Sequence, residues 1–182
     1  EVKYAQEIAL RESRSVIDQG WKELKKAFGR QYQAVETYKA EGASTLLVTM
    51  GSLGETAKMV VDEKRARGEP VGHLNLRLWR PFPFADFRKA VKGVKTVVVV
   101  DRAFSFGGPG GPLASELRSA LYDIVDRPKV VDFIAGVGGR EVDGAAFEYM
   151  FNRGQELAKT GSDCLYEPLQ VRGLATGTGV RG

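Results

Sequence analysis

Four consecutive valines, Val97 to Val100, leave no polar face along one stretch of the chain. A strand with no wet side is buried on both faces, as in a sheet covered by helices. The strand ends abruptly in Asp101 and Arg102. A loop follows with Phe104, Ser105, Phe106, Gly107, Gly110 and Gly111, and Pro112 then suits the first turn of a helix. A buried strand that feeds a loop and a helix N-terminus is where open α/β sheets place their contacts. The simpler alternative is that the glycines only let the loop turn.

The same reading extends in both directions. Leu10, Ile17, Trp21, Leu24 and Phe28 recur at helical spacing over residues 4–28, which predicts an amphipathic helix ended by Gly29 and packed on the main domain or on a partner. Residues 35–38 fit a short edge strand. Residues 45–50 predict a strand, and a helix to about Arg67 turns Ala57, Val60 and Val61 inward. Residues 71–78 alternate Leu74, Leu76 and Leu78 with His73, Asn75 and Arg77, which predicts a strand with one wetter face near a sheet edge. Arg80, Pro81 and Pro83 stop it, and a short helix carries Phe84, Phe87 and Val91 toward the core. Residues 112–122 place Leu113, Leu117 and Leu121 on one helix face. Residues 130–135 read as the last core strand and 143–151 as the final helix. Beyond Lys159 the pattern fades, and Leu165, Tyr166, Leu169 and Leu174 favour an arm that docks. Alternating strands and helices over 43–152 predict a mostly parallel α/β sheet. The organisation expected is a helix and lead-in strand over 1–42, the α/β domain over 43–152, and an arm or tail over 153–182.

Composition narrows the function classes. The 182 residues carry a net charge of +4, spread as 8 basic against 7 acidic residues over 1–42, 15 against 13 over 43–152 and 4 against 3 over 153–182. No basic patch forms, which argues against nucleic-acid binding. No apolar run is long enough to span a bilayer. Cys164 is the one cysteine, so an internal disulfide or a cluster ligated by this chain alone is excluded, and a cytoplasmic location is the simplest expectation. The one histidine, His73, reads as a partly exposed structural residue. Nothing at the start reads as a signal peptide, and an opening at Glu1 is expected of a fragment, a processed product or a trimmed chain.

No residue pattern spells a catalytic constellation or a metal site. Residues 177–182 match the dinucleotide fingerprint G-x-G-x-x-G, but they follow no strand and precede no helix, so the match fails. No P-loop is present. Ser52 and Glu55 follow the first core strand, where backbone N–H groups hold anions, although Ser52 reads first as a helix cap. Asp101 and Arg102 form either a functional pair or an ion pair that fixes the loop. One reading from these residues is a free-standing α/β module that holds a phosphorylated ligand at Ser52 or on the loop from Gly107 to Gly111.

A second reading comes from a family resemblance. Arg30, Gln31 and Tyr32 after Gly29, the stretch Leu-Val-Thr-Met-Gly-Ser at 47–52, Arg-Leu-Trp-Arg-Pro-Phe-Pro at 77–83, Asp-Arg-Ala-Phe-Ser-Phe-Gly at 101–107, Gly-Pro-Leu at 111–113 and Ile-Ala-Gly-Val-Gly-Gly-Arg at 134–140 occur in that order. Together they resemble the C-terminal part, domain II, of the alpha subunit of pyruvate and other 2-oxoacid:ferredoxin oxidoreductases, over residues 4–152. The resemblance implies a fold like the transketolase C-terminal domain, three α/β/α layers around a mostly parallel five-stranded sheet. It also implies a thiamine-diphosphate-dependent reaction in which a 2-oxoacid, coenzyme A and oxidised ferredoxin give an acyl-coenzyme A, carbon dioxide and reduced ferredoxin. The Gly-Asp-Gly…Asn-Asn signature for the diphosphate and its metal is missing here, as is any Cys-x-x-Cys. Thiamine diphosphate, magnesium and iron–sulfur clusters are therefore expected on partner domains or subunits. This chain is then a docking and scaffolding part, inactive alone, with Arg80 and the residues of the loop from Asp101 to Gly111 as its interface candidates.

Overall fold

The computed structural model describes residues 1–161, 164–173 and 179–181. Helix α1 (Val2–Phe28) leads into strand β1 (Val35–Tyr38), followed by β2 (Thr45–Thr49), α2 (Leu53–Ala66), β3 (Val71–Leu76), α3 (Phe84–Ala90), β4 (Thr96–Asp101), α4 (Pro112–Leu121) and β5 (Lys129–Ile134). Helix α5 (Gly144–Thr160) and strands β6 (Cys164–Pro168) and β7 (Val180–Arg181) complete the order. The sheet runs β1-β3-β2-β4-β5-β6-β7. Strands β3, β2, β4, β5 and β6 are parallel, and β1 and β7 are antiparallel at the two edges.

The valine run explains the layering. Val97 and Val99 pack toward α3 and α4 with Phe87, Leu113 and Leu117. Val98 and Val100 pack toward α2 and α5 with Val61, Phe147 and Phe151. All four are at most 3% exposed, so β4 is the centre of a three-layer α/β/α fold, as expected.

Several expectations need correction. The sheet has two strands more than the five expected, both drawn from the segment read as an arm. Strand β6 joins β5 through Phe133 and Ile134 opposite Glu167 and Pro168. Glu167 is fully buried there because Tyr149 Oη and Arg153 Nε donate to it from α5. Helix α5 runs nine residues past its expected end at Phe151. Gly154 lies inside this extension and allows close approach, since a Cβ there would lie 2.6 Å from Val98 Cγ2. Of the residues expected to dock the arm, Leu169 is buried, and Leu174 lies outside the described residues, as do positions 177, 178 and 182 of the 177–182 motif.

Strand β3 has no wet face. It is one strand in from the edge, and His73, expected to be partly exposed, is fully buried beneath α2. Its Nε2 lies 2.8 Å from Thr49 Oγ1, and a Cβ on Gly54 would lie 3.2 Å from its Cε1. Phe84 is 52% exposed rather than in the core, edge-on to Phe82 at 4.7 Å. Helix α1 buries no residue completely; Arg14 ties it to Asp86 at 2.8 Å, and two cavities separate it from the domain. Among the described residues no helix is long and apolar enough to cross a membrane.

The position of Val98 makes a direct prediction. Val98→Asp places an unpaired carboxylate between two packed layers, at a cost comparable with the roughly 5–15 kcal/mol that holds a whole domain together. Circular dichroism with a denaturant titration should show no cooperative transition for the variant. A soluble variant that unfolds cooperatively would put the sheet centre elsewhere.

Candidate functional site

The loop between β4 and α4 is built on two buried carboxylates. Asp101 closes β4, and its Oδ1 and Oδ2 accept from the backbone N–H groups of Leu113 at 3.0 Å and Ala114 at 2.9 Å. These are first-turn amides of α4, which have no acceptor within their own helix. Asp132, one strand over on β5, accepts from Gly111 N at 2.7 Å through Oδ2. Its Oδ1 is buried with no partner among the described residues.

The glycines follow from this contact. A Cβ on Gly111 would lie 2.1 Å from Asp101 Oδ2, and one on Gly110 would lie 2.5 Å from Asp132 Oδ2. Gly110 also has a φ of +133°, outside the range that side chains favour. Arg118 of α4 completes the base by donating to the carbonyls of Pro109, Val130 and Leu165.

Burial dominates the electrostatics. It raises Asp101 above the ordinary carboxylate range against the opposing pull of its two N–H donors. It pushes Asp132 up to about 7, with the Gly111 N–H opposing and the Asp101 charge adding to the rise. On the far side of the sheet, burial and then Lys58 lower His73 to about 4.

The other candidates are placed as follows. Asp101 and Arg102 form neither a pair nor an ion bridge: Asp101 turns inward to α4, and Arg102 donates to the Gly136 carbonyl at 3.3 and 3.4 Å. Phe104 is half-buried and edge-on to Tyr166 at 6.3 Å, whereas Phe106 is 94% exposed and stacks on Phe104 at 6.0 Å. Ser105 and Gly107 are exposed, with the Ser105 N–H bonded to Gly110 O at 3.3 Å. Arg80 lies apart from this loop, paired with Glu116 of α4, which also receives Trp79 Nε1. Ser52 does not cap α2: it has helical φ and ψ and makes no side-chain capping bond, and Glu55 pairs with Lys58 at 2.8 Å. The structure thus gathers Asp101, Gly110 and Gly111 at one point and leaves Ser52, Glu55 and Arg80 outside it.

Asp132 and Arg118 escaped the reading of the sequence, and Tyr166 was read only as part of a docking arm. For Asp132 a signal was available, since a carboxylate within Val130, Val131, Phe133 and Ile134 interrupts an apolar run.

Residues 43–146 match the model of the pyruvate:ferredoxin oxidoreductase core domain II. The chain belongs to this family. It is 37% identical over 174 residues to the pyruvate synthase subunit PorA of Pyrococcus horikoshii, covering 96% of this chain and 43% of that one. It is 40% identical over 134 residues to PorA of Thermotoga maritima, covering 74% and 34%. A ketoisovalerate oxidoreductase subunit, VorA of Pyrococcus horikoshii, is 39% identical over 142 residues, covering 78% and 36%. The domain II chain therefore spans 34–43% of the length of these relatives. Among solved structures, a split-gene transketolase described as an inactive beta4 tetramer matches with a TM-score of 0.52 at 15% identity, over 71% of this chain and 44% of that one. That likeness is one of fold.

Asp132 yields a pH prediction. Its pKa in the folded chain, about 7, lies above its ordinary value of 3.8, so its contribution is greatest below pH 4 and is lost as pH rises through 7. The loss is on the order of 4 kcal/mol by the conversion of one pKa unit to 1.36 kcal/mol. His73 works in the opposite sense, losing stability as pH falls from 6.5 toward 4. The difference between Asp132→Asn and the parent chain isolates the carboxylate. Urea melts should show the variant gaining about 2–4 kcal/mol relative to the parent between pH 4 and pH 8. A difference that stays constant with pH would mean that Asp132 is ionised throughout that range.

Proposed function

We propose that this chain is the domain II part of the alpha subunit of a 2-oxoacid:ferredoxin oxidoreductase, with pyruvate as the favoured 2-oxoacid. In that enzyme a 2-oxoacid is decarboxylated oxidatively to an acyl-coenzyme A, with ferredoxin taking the electrons. Domain II positions neighbouring domains and subunits and does not itself react. The resemblance to PorA subunits supports the assignment to an enzyme complex.

One observation carries the non-catalytic role: the chain's own Asp101 fills the helix N-terminus at the carboxyl end of the central strand. A diphosphate needs free N–H donors and a metal held by outward-facing oxygen ligands. Here the Leu113, Ala114 and Gly111 N–H groups are bonded to carboxylates, and those carboxylates face inward. Thiamine diphosphate with magnesium does not fit this site. A phosphorylated ligand on the loop from Gly107 to Gly111 meets the same obstacle, since it would have to displace buried Asp101 and Asp132. No group of three His, Cys, Asp or Glu among the described residues is arranged for a metal ion. In this reading the cofactors, coenzyme A and the ferredoxin contact belong to partner domains or subunits.

Titrating the purified chain with thiamine diphosphate and magnesium in a calorimeter should give no saturable heat. The chain should release no carbon dioxide from pyruvate when supplied with coenzyme A and an electron acceptor. Co-expression with the other subunits should return one complex containing it in fixed proportion. Micromolar affinity for the cofactor in the isolated chain would contradict the scaffolding role.

A further inference from the structure

Two carboxylates stand side by side behind the loop after β4, and their surroundings are unequal. Asp101 accepts two N–H groups at the positive end of α4, which suits an ionised carboxylate. Asp132 is fully buried on β5 and accepts one N–H, that of Gly111, while its Oδ1 meets no donor among the described residues. A neutral carboxyl leaves that oxygen unpaired at modest cost, whereas an ionised one leaves buried charge beside a second carboxylate. The contacts therefore suit a protonated Asp132. Burial first, and the Asp101 charge after it, push this residue up to about 7 against the Gly111 N–H and Arg118.

A counter-charge is within reach but occupied elsewhere. A Cβ on Gly110 would lie 2.5 Å from Asp132 Oδ2 and 3.5 Å from both Arg118 Nη1 and Tyr166 Cβ, so carboxylate and guanidinium face one point on the loop. Arg118 instead donates to three neutral carbonyls, those of Pro109 at 3.3 Å, Val130 at 3.4 Å and Leu165 at 2.8 Å. Pro109 belongs to the loop and Leu165 to β6, so this one side chain ties both to α4. The titratable and charged groups around Asp132 are Asp101 from β4, Arg118 from α4 and Tyr166 from β6. Residues 103–111 of the loop carry no charge. A guanidinium binds an ionised carboxylate more strongly than a neutral carbonyl, so ionisation of Asp132 gives Arg118 a competing acceptor.

We propose that Arg118 and Asp132 form a pH-sensitive latch on this loop. While Asp132 holds its proton, Arg118 stays on the three carbonyls, and the loop and β6 are held to α4. When the proton leaves to solvent, the guanidinium turns to the Asp132 carboxylate. The Pro109 and Leu165 carbonyls are then released, and the backbone from Phe104 to Gly110 loosens. Gly111 N stays on Asp132 in both states, and the bonds from Leu113 and Ala114 to Asp101 are unchanged. The turned state binds fewer protons, so it gains as pH rises toward 7, levels off above it, and gives way to the held state as pH falls. A local change of charge is thereby converted into the ordering or release of a segment.

Nuclear magnetic resonance of the full chain from about pH 5 to about pH 8 tests the latch, because that range spans the release of the Asp132 proton. The side-chain carboxyl carbon of Asp132 and the Nε of Arg118 should titrate together, with a midpoint well above the ordinary carboxylate value of 3.8. The Ser105 and Gly108 amides are bonded within the loop, to Gly110 O and Ser105 O. Their exchange protection, corrected for the intrinsic pH dependence of exchange, should fall about tenfold over the range, while that of Leu113 and Ala114 holds. Asp132→Asn keeps an acceptor for Gly111 without the charge, and should keep high loop protection throughout. Arg118→Gln should leave the loop poorly protected at both ends of the range. An Asp132 titration that neither the Arg118 signal nor loop protection follows would overturn the latch. So would a carboxyl that titrates at its ordinary value, undiminished protection in Arg118→Gln, or a pH response of the loop that persists in either variant.

Discussion

The two hydrogen bonds from the start of α4 to Asp101 are the contact on which the rest of this structure turns. A carboxylate at the end of a fully buried strand is costly to desolvate, and its raised pKa records that cost. Two N–H donors and the positive end of the helix offset it, each such contact contributing on the order of 1 kcal/mol or more. The helix in turn gains acceptors for amides that would otherwise have none. Strand β4, the loop and α4 are thereby locked into one unit, which sets the direction of the loop.

That lock dictates the local sequence. Gly110 and Gly111 leave room for carboxylate oxygens where side chains would stand, and Pro112 gives up only an N–H that the first turn does not need. Arg118 then couples the unit to β6 through Leu165, so the last parallel strand supports the same loop from the other side. The helix N-terminus that open α/β folds commonly leave for ligands is closed here from within. What remains outward on the loop is the exposed ring of Phe106, stacked on Phe104.

The layering was legible in the sequence because it rests on local pattern. The valine run, the Leu113, Leu117 and Leu121 spacing, and Ala57, Val60 and Val61 each point to the face they occupy. Features set by neighbours remote in sequence were not legible. The alternation in β3 suggested a wet face, yet α2 covers that face and buries His73, while β1 takes the edge position. The need for Gly154 within α5 shows only when Val98 is seen against it. Strand β6 lacks a strong pattern because Glu167 is buried through Tyr149 and Arg153 of α5. At the loop the sequence offered Asp101 and its glycines as a group, but tied Asp101 to the adjacent Arg102. Geometry ties it to Leu113 and Ala114 instead, and brings in Asp132 from another strand.

Amide hydrogen exchange resolved by residue tests the central lock most directly. First-turn amides of a helix normally exchange freely, having no intrahelical acceptor. If Asp101 and Asp132 hold them, Gly111, Leu113 and Ala114 should exchange as slowly as amides within α4, and Asp101→Ala should release Leu113 and Ala114 without exposing β4. Exchange of these three amides in the parent chain as fast as that of the open Phe106 amide would contradict the account.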